Sequence, residues 1–227
     1  MVRVDTVYQR VLALSNKEQR GYITPLEFNL YANQAQMDIF EQYFYDLNQF
    51  LRIPGNDTEY SDVVNILEEK INIFEVFGNV TSTNGNFDMS VLSNFYRLGT
   101  VQAGGTEVEK LEHKDFKIIN ISPLTRPTVT RPVYFKQGNI LNVRPDTIGS
   151  IDVFYIRLPH KVEWGYIVTS EKALYNANSS INFELHASEE TDLVVKILAL
   201  AGITMDDQAL YQIASQEDIK NTQQEKQ

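Results

Sequence analysis

Along the first 75 positions, apolar residues recur at helical spacing. Val4, Val7, Val11 and Leu14 define a helix over residues 3–18, with Gly21 close behind as a stop. Thr24-Pro25-Leu26-Glu27 then opens a second helix. Thr24 offers a hydroxyl to the first unpaired amides, Pro25 has no N–H to leave orphaned, and Glu27 is placed to reach back. This helix runs to about Arg52, where Ile53-Pro54-Gly55 stops it. At 1.5 Å per residue it is roughly 40 Å long. It carries one apolar stripe (Phe28, Ala32, Ala35, Ile39, Tyr43, Phe50) and a partial second (Met37, Phe40, Phe44, Leu47, Leu51). Two stripes predict contact on two sides. A third helix is expected over residues 59–75, with Val63, Ile66, Leu67, Ile71 and Phe74 inward.

The pattern then changes. Residues 76–106 read as turns and short strands, with Asn84-Gly85 as a two-residue hairpin turn and a strand over Tyr96–Val101 before Gly104-Gly105. Glu107–Ile119 has charged helical character. Strands follow at Val133–Lys136, Ile140–Val143, Ile151–Arg157 and Tyr166–Val168, with Gln137-Gly138-Asn139 as a turn and an edge strand expected at Asn182–Leu185. Ser188-Glu189-Glu190-Thr191 opens a final helix, acidic in its first turn as the helix dipole favours. Leu193, Val194, Ile197, Leu198 and Ala201 form its apolar face, and Gly202 is placed to end it. Beyond Asp206 the sequence is polar and glutamine-rich. The expectation is an α+β fold: long N-terminal helices (1–76), a central antiparallel β portion with one short helix (77–187), and C-terminal helices (188–227) packing back on the N-terminal ones.

Composition narrows the function. The 227 residues carry 30 acidic and 20 basic side chains and no cysteine. Thiolate chemistry is therefore excluded, and a basic surface that coats nucleic acid is disfavoured. The charge is divided: −8 over residues 1–109, +4 over 110–172 and −6 over 173–227. No stretch of 18 apolar residues occurs, and no signal-peptide core follows the first residues, so the expectation is a cytosolic chain without a membrane span.

Little points to catalysis. His113, His160 and His186 are isolated in sequence and read as ordinary histidines. Gly99–Thr106 imitates a phosphate-binding loop, but Gly105 occupies the position that requires lysine, so a turn between strands is the better reading. No cofactor or metal site is expected, and an enzyme is the least favoured class. Two features have a structural and a functional reading. Tyr31, Phe40, Phe44 and Tyr45 either join the core or partly face another subunit, since aromatics are enriched at interface centres. Arg126, Arg131 and Arg144, with Lys136 and Arg157, are either solvated strand faces or a surface that meets acidic groups.

Several segments carry a resemblance. The opening from Val4 to Phe44, with Asn16-Lys17-Glu18-Gln19-Arg20-Gly21-Tyr22-Ile23-Thr24-Pro25 and Asn33-Gln34-Ala35-Gln36, resembles virion structural proteins of tailed phages. So do Ser122-Pro123-Leu124-Thr125-Arg126-Pro127 with Arg131-Pro132-Val133-Tyr134, Tyr155-Ile156-Arg157-Leu158-Pro159 with Trp164-Gly165-Tyr166, and Glu189-Glu190-Thr191-Asp192-Leu193. Within that group the chain resembles the ring-forming head-to-tail connector, or adaptor, proteins of crAss-like and related short-tailed phages. The resemblance implies a non-enzymatic homo-oligomeric ring that joins the portal protein to a tail protein. DNA would pass through it without sequence-specific binding. It also implies assembly in the host cytoplasm, residence in the virion, and a C-terminal segment reaching the portal through Leu210, Tyr211, Ile213 and Ile219. Another nozzle or stopper ring component is the alternative among virion proteins. Outside them, Trp164, Tyr155 and Tyr166 would serve a ligand-binding module as an aromatic platform.

Overall fold

A computed structural model describes residues 1–17, 23–52, 58–169 and 172–204. In chain order the elements are α1 (Val4–Lys17), α2 (Pro25–Arg52), α3 (Thr58–Asn72), β1 (Glu75–Thr81), β2 (Asn86–Asp88), β3 (Phe95–Ala103), β4 (Thr106–Glu107), β5 (Glu109–Lys110), α4 (His113–Ile121), β6 (Val133–Gln137), β7 (Ile140–Arg144), β8 (Ser150–Arg157), β9 (Tyr166–Thr169), β10 (Lys172–Tyr175) and α5 (Glu190–Thr204). The fold is α+β, with α5 packed on α1 and α2 and a central set of largely antiparallel sheets. Two compact units result. A helical unit combines residues 1–73 with 159–227, and a β unit comprises residues 74–158. The stretch 159–187, counted with the β-rich middle on sequence, thus belongs with the helices.

Helix α2 begins as its sequence dictates. The Glu27 amide donates to Thr24 Oγ1 at 3.3 Å, and Glu27 Oε2 accepts from the Thr24 amide at 2.9 Å and hydroxyl at 2.7 Å. These bonds hold the Glu27 carboxyl below its ordinary range, the hydroxyl bond contributing most. Ile23 before the cap and Phe28 one turn in are both buried, as in a hydrophobic staple. The first stripe of α2 is buried through Phe28, Ala32, Ala35, Ile39 and Tyr43. It packs in the helical unit with Val4, Val7, Val11, Leu193, Ile197, Leu198 and Ala201. Leu14, Ile66 and Leu51 depart from the periodicity and are exposed.

Three of the polar side chains among the apolar faces of α2 share one role. Asn29, Asn33 and Gln36 face an extended segment at residues 160–164. Asn33 donates to Val162 O at 2.9 Å and accepts from the Val162 amide at 2.9 Å. Asn29 does the same for Trp164, accepting at 2.8 Å and donating at 3.4 Å. Gln36 donates to His160 O at 2.8 Å and accepts from the Glu184 amide at 3.2 Å. Four helical residues advance about 6 Å and two extended residues about 6.6 Å, so the two repeats stay in step. The other edge of the segment is bridged by Glu163 to Ile181 through backbone bonds of 3.1 and 2.8 Å. Within Asn182–Leu185 the described pairing is a single isolated bridge, Phe183 to Val2, so the edge strand expected there does not form.

The β unit contains two four-stranded sheets, ordered β1-β8-β3-β4 and β2-β7-β6-β5. All pairs are antiparallel except β5 with β6. Alternate residues of both sheets meet in one core, among them Val80, Phe87, Val101, Leu141, Val143, Ile151 and Val153. Asn84-Gly85 makes the tight turn expected, at φ 55° and 75°, and Gly104-Gly105 turns β3 into β4 at φ 56° and 82°. The first and last strands pair along their length, from Glu75 with Ile156 to Thr81 with Ser150, so the unit is zipped at its base.

Two expectations need correction. Residues 107–119 are not one helix: β4 and β5 take the first part, because Val108 is buried and its amide donates to Val101 O at 2.8 Å. Only 113–121 is helical. Gly202 does not end the last helix, which continues to Thr204.

Two measurements test this account. Asn33→Leu leaves the amide and carbonyl of Val162 unpaired and should cost about 2–4 kcal/mol in urea unfolding. Asn33→Asp, which keeps the acceptor, should cost less, and a Leu variant as stable as the parent would refute the ladder's importance. For the cap, the Glu27 carboxyl is depressed on folding. Its contribution is thus present above the ordinary carboxylate range and lost as pH falls through the lowered value. Glu27→Gln should melt below the parent at pH 7 and converge with it in acid. Parallel melting curves across pH would exclude this role.

Candidate functional site

In the β unit, α4 lies beside β6 and leads into the loop 122–132. The floor of the site is aromatic. Phe116 is buried and its ring sits 4.6 Å from that of Phe135, which also meets His113 at 5.1 Å. Arg144, at the end of β7, places its guanidinium 5.8 Å from the Phe116 ring. It is anchored there by an ion pair to Asp146 and a 3.0 Å bond to Val143 O. Gly85 of the hairpin turn lies directly beneath, where a Cβ would collide with the Asp146 carboxylate and the Arg144 guanidinium.

These elements enclose a cleft of about 400 Å³ lined by Phe116, Lys117, Asn120, Ile121, Arg126, Pro127 and Arg144 with the two residues after it. A second cleft of about 270 Å³ shares Arg126-Pro127 and adds Leu124, Thr128 and Arg131. The structure thus gathers Arg126, Arg131 and Arg144 around one loop. Residues 113–145 carry six basic side chains and one acidic. Among the described residues, Lys117, Arg126 and Arg131 have no ion-pair partner. Aliphatic groups share this surface: Ile121 is 81% and Leu124 98% exposed. Uncompensated cations among bare aliphatics can hold a carboxylate and cover apolar surface in a single contact.

The aromatic residues separate. Phe40 and Phe44 are buried in the helical unit, their rings edge to face at 5.1 Å, and pack in its core. Tyr45 is exposed and Tyr31 half-buried. Tyr155, in the β unit, is buried and its hydroxyl donates to Ser93 O at 3.3 Å. Trp164, in the helical unit, is also buried, with its indole donating to Asp5 at 3.1 Å and its ring stacked 5.9 Å from Tyr166. Tyr155, Trp164 and Tyr166 do not form one exposed platform. Leu210, Tyr211, Ile213 and Ile219 lie outside the described residues.

Each histidine has a local partner: His113 the Phe135 ring, His160 the Glu184 carboxylate at 3.7 Å, and His186 the Ser188 amide at the start of a short 3₁₀ turn. Gly99–Thr106 is strand β3 and its turn, as expected. Among the described residues no cluster of three or more His, Asp or Glu could hold a metal, and no helix is long and apolar enough to cross a membrane. Tyr134 in the core is held above the ordinary phenol range by burial and then by Glu107. It is a neutral group at physiological pH.

Gly85→Ala probes how the site is built. A left-handed φ with a side chain costs about 1–2 kcal/mol, and the Arg144–Asp146 pair must also move. The melting temperature should fall by roughly 3–8 °C, and an unchanged value would show that the turn does not support the pair. No protein-family model matches the chain, and no curated protein matches it in sequence.

Proposed function

We propose that the protein is a virion assembly subunit of a tailed phage, a head-to-tail connector whose copies form a ring between the portal protein and a tail protein. The observation that carries this reading is the exposed cationic and aliphatic surface around Arg126. An exposed face that joins uncompensated cations to bare aliphatic groups suits a subunit that docks on other proteins. Charge supplies a reason for self-contact. The helical unit has 22 acidic and 11 basic side chains, whereas the β unit has 8 and 9. A subunit so divided favours head-to-tail contacts, and head-to-tail contacts make rings when the rotation closes.

The same division suits a channel. An acidic wall repels the phosphate backbone over about 8 Å at physiological salt, so DNA would pass without adhering. The segment from Asp206 onward, with Leu210, Tyr211, Ile213 and Ile219, is the portal-docking element of this reading. The protein would act in the host cytoplasm during assembly and remain in the virion. A nozzle or stopper ring shares the same chemistry and differs in its neighbours.

Negative-stain microscopy and sedimentation of the purified chain, alone and with its portal, test the proposal. Closed rings are expected, at least on the portal. A monomer under both conditions refutes it. Deleting 206–227 should leave a folded protein that no longer docks, whereas an unfolded product would show that the segment belongs to the core.

A further inference from the structure

The cleft beside Arg126 is more specific than a charged patch. Its floor is an aromatic ring, its rim is aliphatic, and its polar groups are two guanidiniums, one ammonium, the Asn120 amide and the Asp146 carboxylate, which is already engaged by Arg144. Arg144 is held in place by Asp146, while Lys117 and Arg126 extend from exposed positions. A nucleic-acid backbone would use the cations and leave Ile121 and Leu124 bare. An acidic helix with aliphatic neighbours would use both.

One described helix of this chain has that chemistry on its outer face. In α3, Leu67 and Ile71 are buried, and Lys70 pairs at 2.6 Å with Glu189. The opposite side presents Ile66, 52% exposed, then Glu69, and Ile73 just past the end of the helix. Their spacing is i, i+3 and i+7, which at 100° per residue places them within about 60° of one another, along roughly 10 Å. A carboxylate flanked by two isoleucines on one stripe is how a helix is recognised in a groove.

We infer that the Arg126 cleft of one copy receives α3 of a second copy, with Glu69 meeting Lys117 and Arg126 while Ile66 and Ile73 cover the aliphatic rim. The occupant is a second copy because the charges are complementary within one sequence. Each chain then carries one cleft and one helix, so the contact is head-to-tail. The inference rests on the ring reading for its partner, and it assigns the surfaces that make the ring.

Two variants separate these ideas. One carries Lys117→Glu and Arg126→Glu; the other carries Ile66→Arg and Glu69→Arg. All four positions are exposed, and circular dichroism with thermal melting checks that each variant folds; Arg126→Gln and Glu69→Gln, milder at the same two sites, serve if either does not. Alone, each should need at least about tenfold higher concentration to assemble than the parent. Mixed, they retain one intact cleft and one intact helix between them. The reversed cleft and the reversed helix also carry opposite charges, so the mixture should co-assemble at a concentration where neither variant assembles alone, and a mixture that stays unassembled there overturns the assignment. If either variant forms rings at the parent's concentration, the assignment fails while the ring reading stands. A parent chain that never assembles, with or without portal, removes both. If the cleft variant assembles normally but loses binding to a 20-base-pair duplex, the cleft is a polyanion site and the inference is overturned.

Discussion

The helical unit depends on a row of side-chain amides standing in for a β-strand. Residues 160–164 run extended across α2, and an extended chain carries a donor and an acceptor at every second position along each edge. On one edge Asn29 and Asn33 satisfy both backbone groups of Trp164 and Val162 from the helix surface, while at His160 Gln36 takes the carbonyl and the Glu184 carboxylate takes the amide. On the other edge Glu163 pairs with Ile181. Asparagine serves where the spacing is four residues. The longer glutamine serves where it is three and the helix has advanced only about 4.5 Å. The segment is thereby held closely enough for Val162 and Trp164 to be buried, and Trp164 then locks α1 through Asp5 and the Tyr8 ring 4.3 Å away. The capping box is part of the same constraint. By fixing where α2 begins, Thr24 and Glu27 fix which residues face this segment, and a shift of one residue would turn each amide by about 100°.

This arrangement explains how the chain accommodates an inserted β unit. The chain leaves the helical unit after Ile73 and returns at Pro159, one residue before the first amide contact. The strands at those two points are themselves paired, β1 against β8, and Arg157 donates to Phe74 O at 3.0 Å. The β unit thus closes its own backbone hydrogen bonding where the chain enters and leaves it. A division of labour follows. The helical unit supplies packing and a buried ion pair, Lys70 with Glu189, whose desolvation is offset by the Tyr43 ring near the ammonium and the Ser188 hydroxyl on the carboxylate. The β unit holds a rigid two-sheet core that carries the charged surface.

Features that depend on neighbouring residues were legible in the sequence. The capping box, the length of α2, the Asn84-Gly85 turn and the apolar face of α5 each follow from local geometry. Strand pairing misled the reading at 107–111, where charged residues look helical. Burial of Val108, the tight hairpin of β4 with β3 and the pairing of β5 with the remote β6 decide the matter. The exposure of Ile66 breaks a periodicity that otherwise holds, because only one side of α3 packs. The amide ladder left a visible trace, polar residues at 29, 33 and 36 among apolar stripes, but its partners lie 124 to 135 positions away. The cleft was half legible. Its arginines stood out by charge, yet only the order β2-β7-β6-β5 brings the end of β7 to α4 and the loop after it.

The distribution of fixed and uncompensated charge in that cleft argues for a partner more strongly than net charge does. A cation that served only solubility would be best placed in open water, away from bare aliphatic groups. Arg144 instead lies over an aromatic ring and is anchored by a carboxylate, which leaves it oriented and partly neutralised. Lys117 and Arg126 stand at the mouth without such a carboxylate, beside Ile121 and, in the adjoining cleft, Leu124. Orienting one cation costs conformational entropy, and exposing aliphatics costs hydration free energy. The first cost is offset within the chain by Asp146, the Val143 carbonyl and the Phe116 ring, whereas the second is not. In the contact proposed above, a surface of opposite charge and matching apolar pattern would cover those aliphatic groups, and α3 of a second copy is the surface assigned to it.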